Sequence, residues 1–203
     1  DQNGVDITNA NITVTINGKK YNTTTNKAGE YTLSYTTTTS GINNITVEYA
    51  GNTIYNPTNN KTNFTVNKKD IVLDVKQTNN SAGNTSIEVK VTDDEGRPVK
   101  EGNVIVTLPD GTKVTVPVVN GTAVVPLNTT PGTVTVNVTY NGTGNYNKQT
   151  TTATVTTQKI NTSIPLNTIN TVSVGDKVNI SGKLLDSNNK TIPNANITVK
   201  VND

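Results

Sequence analysis

The stretch Thr-Tyr-Asn-Gly-Thr-Gly-Asn-Tyr-Asn at residues 139–147 combines residue types that binding loops often use. It has two tyrosines six residues apart, two glycines and an Asn-Gly-Thr sequon at Asn141. Tyrosine rings can stack on sugars, glycine amides can cradle a phosphate, and a sequon can accept a glycan. The same residue types also build hairpin turns. Four interpretations are therefore open: a sugar-binding loop, a phosphate cradle, a glycan attachment point, and a turn.

Sequons of the form Asn-x-Ser/Thr are the most abundant motif in the chain. In a half-buried strand, an Asn and the Thr two residues later share the outer face, so strands patterned in Asn and Thr create sequons unaided. The same geometry directs these Asn side chains to solvent, and we expect N-glycosylation of some of them on an archaeal or eukaryotic surface. Asn11, Asn44, Asn63, Asn137, Asn179 and Asn196 are predicted to lie on strands, and others, such as Asn22, Asn60, Asn120 and Asn141, in turns or at strand ends. The full set of candidates is Asn11, Asn22, Asn44, Asn60, Asn63, Asn79, Asn84, Asn120, Asn128, Asn137, Asn141, Asn161, Asn179, Asn189 and Asn196.

An acidic turn, Asp93-Asp94-Glu95-Gly96, is a candidate calcium site because clustered carboxylates bind that ion. Two similar turns occur elsewhere, Asp1-Gln2-Asn3-Gly4 and Asp186-Ser187-Asn188-Asn189, and only the first Asp is common to all three. Asp at the first position with Gly or Asn at the fourth is typical of a type I turn. The turn interpretation is favoured, and no metal site is predicted.

Catalytic chemistry has few residues to use, because the chain has no Cys, Met, Trp or His. The common ligands of zinc and the common general base are thus absent. Glu30, Glu48, Glu88 and Glu101 occupy different strands or turns, which argues against a glycosidase-type carboxylate pair. A Lys–Asn isopeptide bond is conceivable, but it needs an aromatic surround that this chain scarcely offers. We predict no catalytic residue, no cofactor and no enzymatic activity.

Charge and hydropathy limit the partners. The net charge is +2 and the lysines are spread along the chain, which argues against a nucleic-acid partner. No apolar run approaches the length that spans a bilayer, so no membrane contact is predicted for this segment.

The elements that position these residues are predicted to be strands, because apolar and polar residues alternate with period two almost everywhere. Turn signals such as Asn17-Gly18, Asp110-Gly111 and Asn120-Gly121 fall between the alternating runs. The pattern predicts an all-β protein with antiparallel hairpins. The clearest runs are Ile12-Val14-Ile16, Ile45-Val47-Tyr49, Val104-Val106-Leu108, Val134-Val136-Val138-Tyr140 and Ile197-Val199-Val201.

The chain is also internally repeated. The fourteen residues from Asp1, Asp93 and Asp186 align without a gap, and these starts are 92 and 93 residues apart. A second landmark, Val-Glu-Tyr-Ala-Gly-Asn-Thr-Ile-Tyr-Asn from Val47, matches the segment from Val138 at a spacing of 91. The repeating unit is therefore one β domain of about ninety residues, the size of an immunoglobulin-like sandwich.

This repeat sets the expected domain boundaries. Residues 68–159 are expected to form a complete unit, residues 1–67 a unit without its first strands, and residues 160–203 the opening strands of a third. The links between units are short and contain no Gly/Ser tract, which favours stiff end-to-end domains. We expect the chain to be a segment of a longer tandem array. Continuation of the same chain, or strands donated by a neighbour, would then complete the partial units.

The residues also resemble a known family. The segments Gly-Arg-Pro-Val-Lys-Glu-Gly-Asn-Val-Ile-Val-Thr from Gly96, Asn-Gly-Thr-Ala-Val-Val-Pro-Leu from Asn120, and the strand and hairpin from Val134 are similar to bacterial Ig-like repeats of large surface proteins. The Thr- and Asn-rich style is most similar to adhesin-like proteins of methanogenic archaea. The resemblance implies tandem Ig-like antiparallel β-sandwiches in an extended extracellular array at the cell surface, and it specifies no catalytic residue.

Two functional hypotheses follow. The first is a structural stalk of a cell-surface adhesin-like or filament protein, which carries a binding tip away from the envelope and contacts neighbouring Ig-like repeats of the same chain or filament. The second is a glycan- or cell-binding Ig-like module, whose partners would be other cells or surface polysaccharide. A third hypothesis is an accessory domain of a secreted enzyme. Covalent N-glycans are a further expected partner of the sequons.

The repeat also bears on the opening stretch, since its features recur in the first unit. Tyr140, Gly142 and Tyr146 align with Tyr49, Gly51 and Tyr55, whereas Gly144 and the sequon at Asn141 have no counterpart. What repeats is a hairpin: a tyrosine that closes one strand, a turn, and a tyrosine that opens the next. We expect both rings to cap the open end of the sandwich, with their hydroxyls near water. The stretch is predicted to be a structural hairpin first, with sugar binding as the alternative.

Overall fold

The computed structural model describes residues 1–201, and the last two residues of the predicted third unit, 202 and 203, lie outside the described residues. Across the described chain every regular element is a strand, and each ladder between the strands is antiparallel. This confirms the predicted all-β class. No helix in this part of the protein is long and apolar enough to cross a membrane.

The first sheet lies within residues 11–66. Its strand order is β2-β1-β3-β4, and the turn between β1 and β2 is Asn17-Gly18, where both residues have positive φ, as a type I′ hairpin requires. Ile12, Val14 and Ile16 are buried on one face. The strands are β1 Asn11–Ile16, β2 Lys19–Thr24, β3 Gly41–Tyr49 and β4 Thr58–Val66.

Two further sheets lie within residues 71–157 and pack face to face around one core. One has the order β5-β6-β9 and the other β11-β10-β7-β8. The shared core is built mainly from valines, with Ile71, Ile87, Leu108, Leu127 and Tyr140. The strands are β5 Ile71–Ser81, β6 Asn84–Asp93, β7 Asn103–Thr107, β8 Lys113–Pro117, β9 Thr122–Leu127, β10 Gly132–Tyr140 and β11 Gln149–Thr157.

The same strand order occurs twice. The order β2-β1-β3-β4 repeats as β8-β7-β10-β11, and the register repeats with it, since Ile12 pairs with Tyr49 as Val104 pairs with Tyr140. In the first region, however, the residues aligned with β9 form no strand, because no counterpart of β6 lies beside them in residues 1–201.

Residues 160–201 contain only two short strands, β12 Thr162–Ser163 and β13 Leu185–Asp186, which pair with each other. The alternating run Ile197-Val199-Val201 was predicted to be a strand, and this prediction is wrong. All three side chains are exposed, and no strand within the described chain lies beside them to supply ladder hydrogen bonds. Alternation alone does not make a strand without a neighbour.

Candidate functional site

The two hairpins that follow β3 and β10 close in the same way. In the second, the Thr143 amide donates to the Tyr146 carbonyl at 3.0 Å. In the first, the Asn52 amide donates to the Tyr55 carbonyl at 2.9 Å. Tyr49 and Tyr140 are the last residues of their strands, whereas Tyr55 and Tyr146 precede β4 and β11 rather than open them.

Gly51 and Gly142 serve the backbone of these turns. Their φ values are +79° and +77°, a region that residues with a Cβ rarely adopt. A Cβ at Gly51 would lie 2.7 Å from the Tyr55 carbonyl oxygen, and one at Gly142 would lie 3.1 Å from the Lys148 amide nitrogen. Both positions are thus explained by turn geometry without a ligand.

The tyrosines do not lie as the sequence predicted. Tyr140 is fully buried, and its hydroxyl donates to the Glu101 carbonyl at 3.1 Å rather than facing water. Burial raises the pKa of the Tyr140 phenol. The Tyr49 hydroxyl is also buried, and it has no hydrogen-bond partner among the described residues. Tyr55 and Tyr146 are half-buried. Tyr140 therefore belongs to the interior, where the loop at Glu101 covers it, whereas the ring of Tyr49 is half-buried.

The second hairpin contacts the first region directly. The Ser40 amide donates to Asn145 Oδ1 at 3.0 Å, and Asn145 Nδ2 donates to the Thr38 carbonyl at 3.3 Å. The Ser40 hydroxyl also donates to the Gly144 carbonyl. Lys68 Nζ donates to the Thr143 carbonyl at 2.7 Å. The turn whose residue types suggested a binding loop therefore contacts residues of the preceding region of the same chain.

The same hairpin also holds the link between the two regions. The Lys69 amide donates to the Asn145 carbonyl and the Asn147 amide donates to the Lys69 carbonyl, both at 2.9 Å, so residues 69 and 146 form a parallel bridge. Asn147 Nδ2 adds a 2.8 Å bond to Asp70 Oδ1. We call residues 38–40, 67–70 and 143–147 the joint. Backbone bonds of this kind fix the path of a short linker.

The acidic turn lies beside the joint. Asp93, with a side chain only 3% exposed, accepts the Glu95 and Arg97 amides at 3.1 and 2.8 Å. Its other carboxylate oxygen contacts Lys69 Nζ at 3.2 Å and Arg97 Nε at 3.0 Å. Lys69 also contacts Glu95 at 2.9 Å. The hydrogen bond to Glu95, with that to Asp93 and the two negative charges, raises the pKa of the Lys69 amine against the opposing effect of burial.

The three aligned aspartates make the same local bonds. Asp1 accepts the Asn3 and Val5 amides at 2.9 Å, and Asp186 accepts the Asn188 and Lys190 amides at 2.8 and 2.9 Å. These are the side-chain bonds of an Asx turn. The carboxylates of Asp93 and Glu95 are paired with cations, and residues 1–201 contain no group of three acidic side chains placed to hold a metal ion.

All fifteen sequon asparagines are exposed. Eight lie in strands: Asn11, Asn22, Asn44, Asn60, Asn63, Asn79, Asn84 and Asn137. Asn22 and Asn60 were placed in turns or strand ends by the sequence, but they lie within β2 and β4. Asn179 and Asn196, predicted on strands, lie outside them, and their middle residues Ile180 and Ile197 are exposed.

The glutamates considered for catalysis are distributed over the fold. Glu48 lies in β3 and Glu88 in β6, while Glu30 and Glu101 lie in loops. Glu101 accepts the Thr143 hydroxyl at 2.9 Å and Glu30 accepts Asn26 Nδ2 at 3.0 Å. Both loop carboxylates therefore have structural hydrogen bonds.

Sequence reasoning missed Ser40, Lys68, Lys69 and Asn145. One signal was available for Asn145, because the aligned residue of the first hairpin is Ile54, and a position that breaks a repeat invites a specific explanation. Ser40 carried no such signal, since it ends a run of small hydroxyl residues, Thr36 to Thr39, from which nothing distinguishes it.

No protein-family model matches the chain, and no curated protein matches it. Solved structures do. A tetra-tandem repeat from the extending region of a large adhesion protein is 20% identical, with a TM-score of 0.50, over 88% of this chain and 50% of that one. Invasin, a bacterial integrin-binding protein, is 20% identical, with a TM-score of 0.56, over 94% of this chain and 42% of that one.

This chain thus spans about half of each neighbour or less. At this identity the likeness concerns the fold, and neither neighbour supports the predicted similarity to methanogenic archaea. The chain has the all-β, Ig-like fold of tandem adhesin and invasin repeat domains.

Proposed function

We propose that this chain is a structural spacer, or stalk, of an extracellular adhesin-like or filament protein at the cell surface. In this role it holds a binding tip at a distance from the envelope. The observation that carries the proposal is the joint, where a hairpin of one region bonds both to the preceding region and to the linker. A spacer requires such contacts, since a flexible linker would let successive domains fold back.

The shared fold with an adhesin's extending region supports the same role. We further propose that the units are residues 1–67, 68–159 and 160–203. All residues of the large buried core fall between 71 and 155, so the middle unit contains a complete core. A fragment of residues 68–159 is expected to unfold in one cooperative transition, and a broad transition would contradict the boundaries.

N-glycosylation at some of the fifteen sequons is part of the proposal, because every acceptor side chain is exposed. Sugars would add solubility to a surface that carries few charges. Mass spectrometry of native protein is expected to show hexose-bearing Asn peptides. If peptides covering most of the sequons contained only unmodified Asn, this part of the proposal would be contradicted.

The alternative is a glycan- or cell-binding module, and one cavity favours it. About 630 Å³ is lined by residues of the joint and the acidic turn, including Lys69, Arg97, Lys100, Glu101 and Tyr146. A sugar would find the Tyr146 ring to stack on and the polar groups of Lys100 and Glu101 beside it. Saturable binding of the 203-residue chain to a glycan array, lost in a Tyr146→Ala variant, would favour binding over spacing. The spacer predicts no such binding.

A further inference from the structure

Four Asn-Gly pairs occur in the chain, beginning at Asn3, Asn17, Asn120 and Asn141. Such pairs favour tight turns, but they also have a chemistry of their own. Because glycine has no side chain to crowd its backbone nitrogen, this nitrogen can attack the side-chain amide carbon of the preceding Asn. The reaction needs no enzyme. Each pair is therefore a candidate site of self-modification.

The attack has two structural requirements. The glycine N–H must be free to lose its proton, and the Asn side chain must be free to turn its amide carbon onto that nitrogen. A hydrogen bond to either group must break first, and its free energy adds to the barrier. The fold therefore decides which pairs react.

Two of the pairs are protected at the glycine amide. The Gly121 amide donates to the Val99 carbonyl at 2.7 Å, and Gly121 is buried. The Gly4 amide donates to the Asp1 carbonyl at 3.1 Å. In both pairs the attacking nitrogen is already engaged.

A third pair is protected at the Asn side chain. Asn17 Nδ2 donates to Asn43 Oδ1 at 2.8 Å, and Asn17 Oδ1 accepts the Asn44 amide at 2.9 Å. These two bonds fix the side-chain amide, so its carbon turns onto the Gly18 nitrogen only when both break.

The fourth pair meets both requirements. Asn141 lies directly after β10, and its side chain is exposed. Within residues 1–201, neither the Asn141 side chain nor the Gly142 amide has a hydrogen-bond partner. Asn120 and Asn141 begin the same three-residue sequence, Asn-Gly-Thr, so the fold and not the local sequence distinguishes them.

The reaction at this pair balances with water and hydroxide as its only co-reactants. Hydroxide takes the Gly142 amide proton, the nitrogen forms a bond to Asn141 Cγ, and the bond from Cγ to Nδ2 breaks. The leaving nitrogen takes a proton from water and departs as ammonia, and a cyclic imide remains. Water then adds to one imide carbonyl and breaks its bond to nitrogen. Opening at Cγ gives aspartate, whereas opening at the main-chain carbon gives isoaspartate, in which the backbone runs through Cβ and Cγ.

We propose that Asn141 converts spontaneously to isoaspartate and aspartate, and that the isoaspartate loosens the joint. Isoaspartate adds one backbone atom between two bonded groups. On one side the Asn141 amide donates to the Asn103 carbonyl at 3.1 Å, and on the other the Thr143 amide donates to the Tyr146 carbonyl at 3.0 Å. The two bonds cannot both keep their geometry when the chain between them lengthens.

The residues that follow the altered backbone are those of the joint. Residues 143–147 bond to residues 38–40 and to the linker, so a displaced hairpin strains these contacts. The joint thus has a chemical lifetime, and older copies of the chain are more flexible than new ones.

Peptide mapping of aged protein tests the site. The 203-residue chain is made in a host without N-glycosylation, so that Asn141 Nδ2 is unmodified, and is kept at mildly alkaline pH. Trypsin leaves Asn120 and Asn141 in one peptide, residues 114–148, and fragmentation locates the conversion within it. Conversion at Asn141 is expected to be roughly tenfold faster than at Asn120 or Asn17, since hydrogen bonds protect the other two.

The isolated peptide 114–148 is the matched control. When it is aged instead of the folded chain, Asn120 and Asn141 are expected to convert at similar rates, because only the fold separates them. Equal rates at the two positions in the folded chain, or no conversion at Asn141, would overturn the proposal.

X-ray scattering tests the effect on the joint. Aged wild type is expected to show a wider spread of inter-region distances than fresh protein. Asn141→Gln, whose longer side chain closes a ring far more slowly, should show the same spread before and after ageing. An unchanged spread in converted wild type would overturn the effect on the joint. A joint that is flexible from the outset would show a wide spread already in fresh protein, so failure of the spacer role is distinguishable from failure of this inference.

Discussion

The sheets of residues 11–66 and 103–157 share strand order, register and hairpins, yet they differ in how deeply their inner faces are buried. Tyr140 is covered and its hydroxyl donates a hydrogen bond, whereas the aligned Tyr49 is half-buried and its hydroxyl has no hydrogen-bond partner within residues 1–201. The difference lies in the opposing sheet β5-β6-β9, which faces only the second of them. Strand pairing thus forms a sheet, but a second layer is needed to make it a core.

The largest expected effect is a difference in stability between substitutions of the two aligned tyrosines, Tyr140 and Tyr49. Tyr140→Ala should destabilise the middle region by about 3–5 kcal/mol, because it leaves a cavity among fully buried valines. Tyr49→Ala should lower the stability clearly less, since the ring of Tyr49 is only half-buried and less apolar surface is lost. Chemical denaturation followed by region-specific amide signals would measure both. Equal losses would mean that the first face is covered in solution.

A second contrast involves Gly102 and the aligned Ala10. Gly102 has φ +86°, and a Cβ there would lie 2.6 Å from the Tyr140 hydroxyl oxygen. Gly102→Ala is therefore expected to cost about 1–3 kcal/mol from backbone strain and crowding. Ala10→Gly should cost only about 0.5–1 kcal/mol, through chain entropy. Thermal unfolding of both variants checks the order, and a harmless Gly102→Ala would contradict the close approach to Tyr140.

The third contrast is between the two hairpins. Asn145→Ile introduces the residue that the first hairpin has at Ile54, and it removes the bonds to Ser40 and Thr38. We expect a stability loss of about 1 kcal/mol, but a clear increase in the spread of inter-region distances by X-ray scattering. Asn141→Ala, in the same hairpin but without side-chain bonds to residues 38–40, is the control. An unchanged distance distribution in Asn145→Ile would show that the side chain does not hold the joint.

The smallest expected effect is at alkaline pH. The folded pKa of Lys69 is raised, so its stabilising contacts with Glu95 and Asp93 persist below the unfolded value near 10.5 and are lost as the pH rises through the folded value. Because Lys69 is partly exposed, solvent weakens the effect. Wild type should lose slightly more stability than Lys69→Met between pH 9 and pH 12. Parallel curves would mean that the pair contributes nothing.

The sequence correctly predicted those strands in which an alternating apolar pattern also has a neighbouring strand to pair with. Ile12-Val14-Ile16 and Val134–Tyr140 form strands, since each has a neighbouring strand to pair with. Ile197-Val199-Val201 has the same alternation but no such neighbour among the described residues, so the strand predicted there from the pattern alone was wrong.

In the candidate site, the roles of the turn glycines and of the turn at Asp93 could be predicted from the sequence, because backbone φ preferences and Asx-turn hydrogen bonds depend only on neighbouring residues. The joint could not be predicted from the sequence, because Asn145 and Ser40, which contact each other there, are 105 residues apart in the chain. The burial of Tyr140 likewise depends on the distant loop at Glu101.

The most direct test of the spacer is whether the two regions tumble as one body. Residual dipolar couplings of the 203-residue chain in a weakly aligning medium would be fitted separately for residues 11–66 and 71–157. The account predicts one alignment tensor for both regions, and two distinct tensors in Asn145→Ile. Two tensors of different magnitude in the unmodified chain would contradict a fixed joint, and with it the proposed role as a stiff spacer.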